Sequence, residues 1–268
     1  MAPDPNREIF EVWNQQPDKH VLLVDEVRFS RNEVAQHGQT VLFAVVCTRA
    51  RTLVSTMVAL RAARDAFTAQ RDRPRFKGRR IFAKPAKPRY RRHRVVIGGA
   101  IFDAELVLRY ATTTDYLADA ATSPTRLTDG TTISGEEFPL LLLILKEAAN
   151  RLNAGEEVVD VLVDRSTQLG IHPQQHGITT EQFQMYVAPA GSLNTTTVGT
   201  RATVTSPSGF RIIAIGEETL ELGDVLLLPD SAAYLSRAIG IPLLGDPRLR
   251  SGVVPFEPVT GRDFFALS

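Results

Sequence analysis

Val21-Leu22-Leu23-Val24-Asp25-Glu26 runs four apolar residues straight into two adjacent carboxylates. A Val/Leu run bounded by polar residues reads as a buried strand, and this one carries negative charge to its end. The layout recurs at Glu157–Ser166 (EVVDVLVDRS), which delivers Asp164. A third carboxylate, Asp230, stands in the apolar stretch VLLLPDSAAYL, which reads as helical. A buried carboxylate is costly unless it is paired or metal-bound, so acids on core elements ask for a partner. Several carboxylates converging on one cleft form the hard oxygen donor set that Mg2+ or Mn2+ requires. Two such ions can activate water and stabilise the leaving oxygen in phosphodiester cleavage. The plainer reading of any single strand-end Asp is a turn former or a helix cap.

Working outward, strands are expected at His20–Phe29 and Thr40–Cys47, both rich in Val, Leu and Phe and suited to an antiparallel pair. Thr52 reads as the cap of a helix to about Gln70, with Leu53, Met57, Leu60, Ala63 and Phe67 on one face. Val95 to Thr114 reads as two further strands, and residues 115–134 as loop. Ser134-Gly135-Glu136-Glu137 has the capping-box pattern ahead of Leu140–Leu152, although Pro139 itself prefers a first helical turn. Thr179–Val187 is compatible with a short helix, residues 190–208 with a loop or hairpin, Phe210–Glu218 with a strand, and Leu222–Ile239 with the last helix. Alternating strands and helices indicate α/β: one domain over residues 19–245, with a leader at 1–18 anchored by Trp13 and a tail at 246–268.

The net charge of +1 conceals an asymmetry. Residues 71–94 hold 12 Lys/Arg and a single acid, Asp72, so the other 19 cations face 29 acids elsewhere. This basic insertion is interleaved with Phe76, Phe82 and Tyr90, a combination suited to phosphate contact and base stacking. Its prolines, Pro74, Pro85 and Pro88, argue against a long helix. Docking on an acidic face of the same protein, or self-association, is the rival reading.

Several classes are excluded or disfavoured. No GxxxxGK[ST] loop accompanies the VLLVDE strand, which removes a P-loop ATPase. No GxSxG motif is present, and Cys47 is alone in an apolar run, so it makes no intramolecular disulfide. His172 and His176 supply two ligands, too few for zinc, and read as loop residues unless they serve proton transfer. The apolar run after Pro139, Leu140–Leu145, is too short to span a bilayer, and the polar N-terminus lacks a secretory layout. A cytoplasmic protein with no membrane partner is therefore expected.

Four pieces, in order, carry a resemblance: VLLVDE, then Phe76-Lys77-Gly78, then Val163-Asp164-Arg165-Ser166, then Leu226-Leu227-Leu228-Pro229-Asp230. Together they resemble an RNase H-like family known as a domain of unknown function. Its members open with an apolar strand and Asp-Glu-Ser-Gly, continue with Glu-apolar-Lys-Gly and close on a Leu-Gln-Leu-Ala-Asp helix. The resemblance implies an RNase H-like fold, with a mixed sheet, an antiparallel first pair, parallel later strands and flanking helices. It also implies that Asp25, Asp164 and Asp230 bind Mg2+ or Mn2+ in a nuclease. Here Val27-Arg28 replace Ser-Gly and Arg75 replaces the Glu, so Glu26, Asp103 or Glu105 would have to complete the acidic set. Neighbouring strand residues point to opposite faces, which sets Glu26 against Asp25.

The expectation is a divalent-metal-dependent nuclease. Lys77 would hold phosphate or stabilise charge at the phosphoryl group, and Arg73, Arg75, Arg79, Arg80, Arg89, Arg91 and Arg92 would contact nucleic acid. The alternative is an inactive RNase H-like module that binds nucleic acid or takes part in an assembly.

Overall fold

The computed structural model describes residues 5–29, 40–65, 77–82, 88–113, 125–126, 132–133, 158–164, 184–187, 196–198, 209–215, 220–238 and 253–266. It also describes residues 140, 141, 144, 147, 148, 151 and 152, all helical. The chain begins with α1 (Pro5–Gln15), β1 (His20–Arg28), β2 (Thr40–Arg49) and α2 (Ala50–Asp65). Next come α3 (Gly78–Ile81), a 3-10 turn at Pro88–Tyr90, α4 (Arg91–Phe102) and β3 (Leu106–Thr113). Six strands follow: β4 (Thr125–Arg126), β5 (Thr132–Ile133), β6 (Val158–Asp164), β7 (Gln184–Val187), β8 (Thr196–Val198) and β9 (Gly209–Ile215). The chain closes with α5 (Leu220–Val225), α6 (Leu227–Ala238), β10 (Val253–Pro255) and α7 (Gly261–Ala266). This is an α/β protein in which one strand pair is parallel and the others antiparallel. No helix among the described residues is long and apolar enough to cross a membrane.

Two compact units share the chain: Met1–Thr113 with Glu217–Ser268, and Thr114–Gly216. The span 19–245, read from sequence as one domain, is thus divided between them. In the first unit the strand order is β10-β3-β2-β1, antiparallel throughout. His20 to Asp25 and Val41 to Thr48 are buried without alternation, so both faces of these strands are covered. α6 lies across β1 and β2 and also packs on α4 and α5, while α2 packs on α4 and α5. Leu42, Ala111 and Val254 form one buried row across β2, β3 and β10, with Val27, Phe29 and Phe256 against it.

Both terminal segments belong to this unit. Residues 5–15 form a helix that packs on α2 and buries Trp13 completely, with Phe10 edge-on to it at 6.0 Å. Near the other terminus β10 pairs with β3, and its Pro255 occupies an outer strand, where a missing donor costs no ladder bond. Thr260 and Asp263 cap α7 reciprocally, N–H to Oγ1 at 3.2 Å and Oγ1 to Oδ2 at 2.7 Å. Arg109, buried on β3, donates to the Glu257 carbonyl at 3.2 Å and lies over the rings of Phe256 and Phe264. Gly261 approaches so closely that a Cβ there would collide with the carbonyl oxygens of Ile101 and Phe102.

In the second unit β6 and β9 are parallel, and β7 joins β9 and β8 antiparallel, giving the order β6-β9-β7-β8. Among the described residues, β6 and β9 are the parallel pair of the later strands expected from sequence. β7 also corrects the helical reading of Thr179–Val187 over its described part, and it pairs antiparallel with β8, the described part of the stretch read as loop or hairpin at 190–208. The helix expected at Leu140–Leu152 is present at every described position and buries Leu140, Leu141, Ile144 and Ala148. Glu147 and Arg151 pair at 2.8 Å one turn apart on it.

Val95 to Asp103, read as a strand, is most of helix α4. Its buried residues are His93, Ile97, Ala100 and Ile101, which recur at helical spacing. The β-branched residues favoured a strand, and packing against α2 and α6 overrides that local preference. α2 begins at Ala50, two residues before the Thr52 cap read from sequence, because β2 runs into it without a break.

Candidate functional site

Asp25 lies within β1, which continues to Arg28 rather than ending at the acids as the sequence suggests; it is 7% exposed and lies opposite the small Ala44 of β2. Asp230, 8% exposed, occupies the first turn of α6, the helix that crosses β1 and β2. Helix α3, which packs on α6, brings in the third component. The Gly78 N–H donates to Asp230 Oδ2 at 2.6 Å, a buried bond between residues 152 apart in sequence. Lys77 precedes it with extended backbone and an exposed side chain.

At Asp25, burial and like charge outweigh the favourable contacts. Burial, followed by the charges of Glu26 and Asp230, holds the Asp25 carboxyl well above the ordinary carboxylate range. The Lys77 ammonium and the Glu26 N–H pull it the other way, the latter donating to Asp25 Oδ1 at 2.9 Å. An acid held in this state can share a proton with a neighbouring carboxylate or accept a hard cation. The adjacent ammonium can hold an anion.

Three elements distant in sequence thus bring Asp25, Asp230 and Lys77 together, with half-buried Glu26 next to Asp25 on the strand. Asp164 is the half-buried last residue of β6 in the other unit. Asp160, on the same strand face as Asp164 and fully buried, escaped the sequence reading, which looked for acids at strand ends rather than at alternate positions within strands. Among the described residues no group of three or more His, Cys, Asp or Glu has an arrangement able to hold a metal ion.

The two substitute acids have other roles. Glu105 pairs with Arg49 and His20, and Asp103 forms the C-cap of α4, its N–H donating to Gly99 and its φ and ψ helical. Arg80 is exposed on α3, Arg91 and Arg92 are exposed in the first turn of α4, and Arg89 is exposed with its guanidinium 5.0 Å from the Tyr90 ring centroid. Two arginines at a helix start oppose the helix dipole, an arrangement that an external anion relieves. Arg79 lies in α3, whereas Arg73, Arg75, His172 and His176 lie outside the described residues.

Sequence reasoning missed the close seat of Gly78. A Cβ there would stand 2.8 Å from the Cα and N of Ser231 and 2.9 Å from its Oγ. The Gly beside Lys77 was visible, but only the fold reveals what it touches. Compared with protein families, curated proteins and solved structures, the chain matches none of them.

Proposed function

We propose that this protein is an RNase H-like nuclease that hydrolyses phosphodiester bonds with Mg2+ or Mn2+. The observation that carries the reading is the meeting of Asp25 and Asp230 in one buried place beside Lys77. The all-oxygen donors suit a hard ion, and the repulsion of Asp25 by Glu26 and Asp230 is what a divalent cation would cancel. Asp25 and Asp230 would hold the metal, with Glu26 adjacent, and Asp164 enters this assignment through the resemblance alone. The ion would supply water activation and neutralisation of phosphate charge. Lys77 would bind a phosphate oxygen and stabilise charge developing at phosphorus. Arg80, Arg89, Arg91 and Arg92 would hold the nucleic-acid backbone, joined by Arg73, Arg75 and Arg79 in the same insertion.

A second reading, a nucleic-acid-binding module without catalysis, is favoured by Arg75 in place of the family's Glu and by the exposed cations of α3 and α4. Labelled single- and double-stranded DNA and RNA, incubated with Mg2+, Mn2+ or EDTA, separate the two. Metal-dependent cutting that is lost in Asp25→Asn and Asp230→Asn supports the nuclease, and Asp164→Asn tests the third ligand independently. Salt-sensitive binding without cutting would leave the module.

A further inference from the structure

The Lys77-Gly78 dipeptide bears on both acids of the pair, Gly78 by a hydrogen bond and Lys77 by its charge alone. The Gly78 N–H reaches Asp230 Oδ2 at 2.6 Å inside the protein, and the Lys77 ammonium acts on Asp25. A charge-assisted bond of this kind is about twice as strong as a neutral one. The approach that allows it is backbone against backbone. Nothing larger than hydrogen fits between Gly78 and Ser231, because the atoms met at 2.8 Å are the Cα and N of Ser231, which cannot rotate away. The Ser231 Oγ, also at this contact, is buried with no hydrogen-bond partner among the described residues. Closeness rather than side-chain bonding therefore defines the seat.

We propose that Gly78 is a positioning residue, its turn a latch that seats on Ser231 and fixes the Asp230 carboxylate beside Asp25. The functional consequence rests on the metal-dependent reading above; the latch itself does not. Since the latch lies within the basic insertion at 71–94, it ties the insertion to the acidic pair. By linkage, a polyanion that alters metal affinity at the acids has its own affinity altered by metal by the same factor.

The test uses the full chain in two arms. In the first, NMR amide hydrogen exchange at Gly78 is compared in wild type, Ser231→Ala and Asp230→Ala. Slow exchange is expected in the first two and exchange at least about tenfold faster in Asp230→Ala, as for a buried amide that loses its acceptor. Unchanged exchange in Asp230→Ala overturns the latch. In the second arm, Mn2+ binding is followed by electron paramagnetic resonance. Gly78→Ala is expected to weaken binding roughly 10–100-fold, the range seen when a group orienting a metal ligand is lost. It should add nothing in an Asp230→Ala background. A wild-type affinity in Gly78→Ala, or an additive loss, overturns the positioning role. Should Gly78→Ala fail to fold, the exchange arm decides alone. Should wild type bind no Mn2+, the metal reading falls and exchange still judges the latch.

Discussion

Two places along β1 handle charge in opposite ways. At its start, His20 Nε2 lies 3.1 Å from Glu105 Oε2, and Arg49 Nε donates to Glu105 Oε1 at 2.5 Å. Arg49 Nη1 also donates to the Asp18 carbonyl at 2.5 Å. Burial pushes the Glu105 carboxyl up, but Arg49 and His20 outweigh it and hold the carboxyl below its ordinary value. Further along the strand, Asp25 meets burial and like charge together and is driven up. The first place is electrostatically satisfied and reads as architecture. The other carries a strain that architecture alone does not require, which is why function is sought there.

Three experiments break or sharpen this contrast. The largest effect is expected from Asp25→Asn in metal-free buffer, which should raise the melting temperature by several degrees at about pH 8. Because the folded pKa lies above the unfolded one, Asp25 is tolerated below the ordinary carboxylate value of about 3.9 and disfavours folding as pH rises through its raised value. The gain should therefore vanish in melts at about pH 3. Equal melting of wild type and variant at every pH would remove the strain from the comparison.

Glu105→Gln should act in the opposite direction and more weakly. Its pair is partly exposed, so a loss of about 0.2–1 kcal/mol is expected at neutral pH, smaller in high salt. The folded pKa is lowered here, so the wild-type advantage is present above the ordinary Glu value and disappears as pH falls through the folded one. Urea melts across that window should show the two curves converge. The smallest stability effect belongs to Arg91→Ala with Arg92→Ala, within roughly 0.5 kcal/mol. Titrations of nucleic-acid binding at several salt concentrations should nonetheless show the salt slope reduced by about one per arginine that contacts phosphate.

Much of the first unit is legible in the sequence because its strands are continuous apolar runs with polar ends. β1, β2 and β3 appear within a few residues of their expected bounds. Helix α4 does not, since Val95, Val96 and Ile97 favour a strand by local preference and the helix is imposed by what it packs against. The C-terminal segment escaped because its signal is small: one capping pair at Thr260 and Asp263, and three residues that pair with β3. In the candidate site, Asp25, Lys77 and Asp230 could each be picked out by an apolar run or a neighbouring motif. Gly78 could be seen only as a member of a motif, because its role depends on the backbone of a residue more than 150 positions away.

The first unit is discontinuous, with residues 114–216 lying between β3 and α5. During synthesis Asp25 and Lys77 leave the ribosome long before Asp230 does, and α6 must close over β1 and β2 across the whole intervening unit. A nascent or truncated chain ending before residue 227 thus holds one acid of the pair and no acceptor for the Gly78 N–H. Whatever chemistry the pair performs is withheld until synthesis has passed α6.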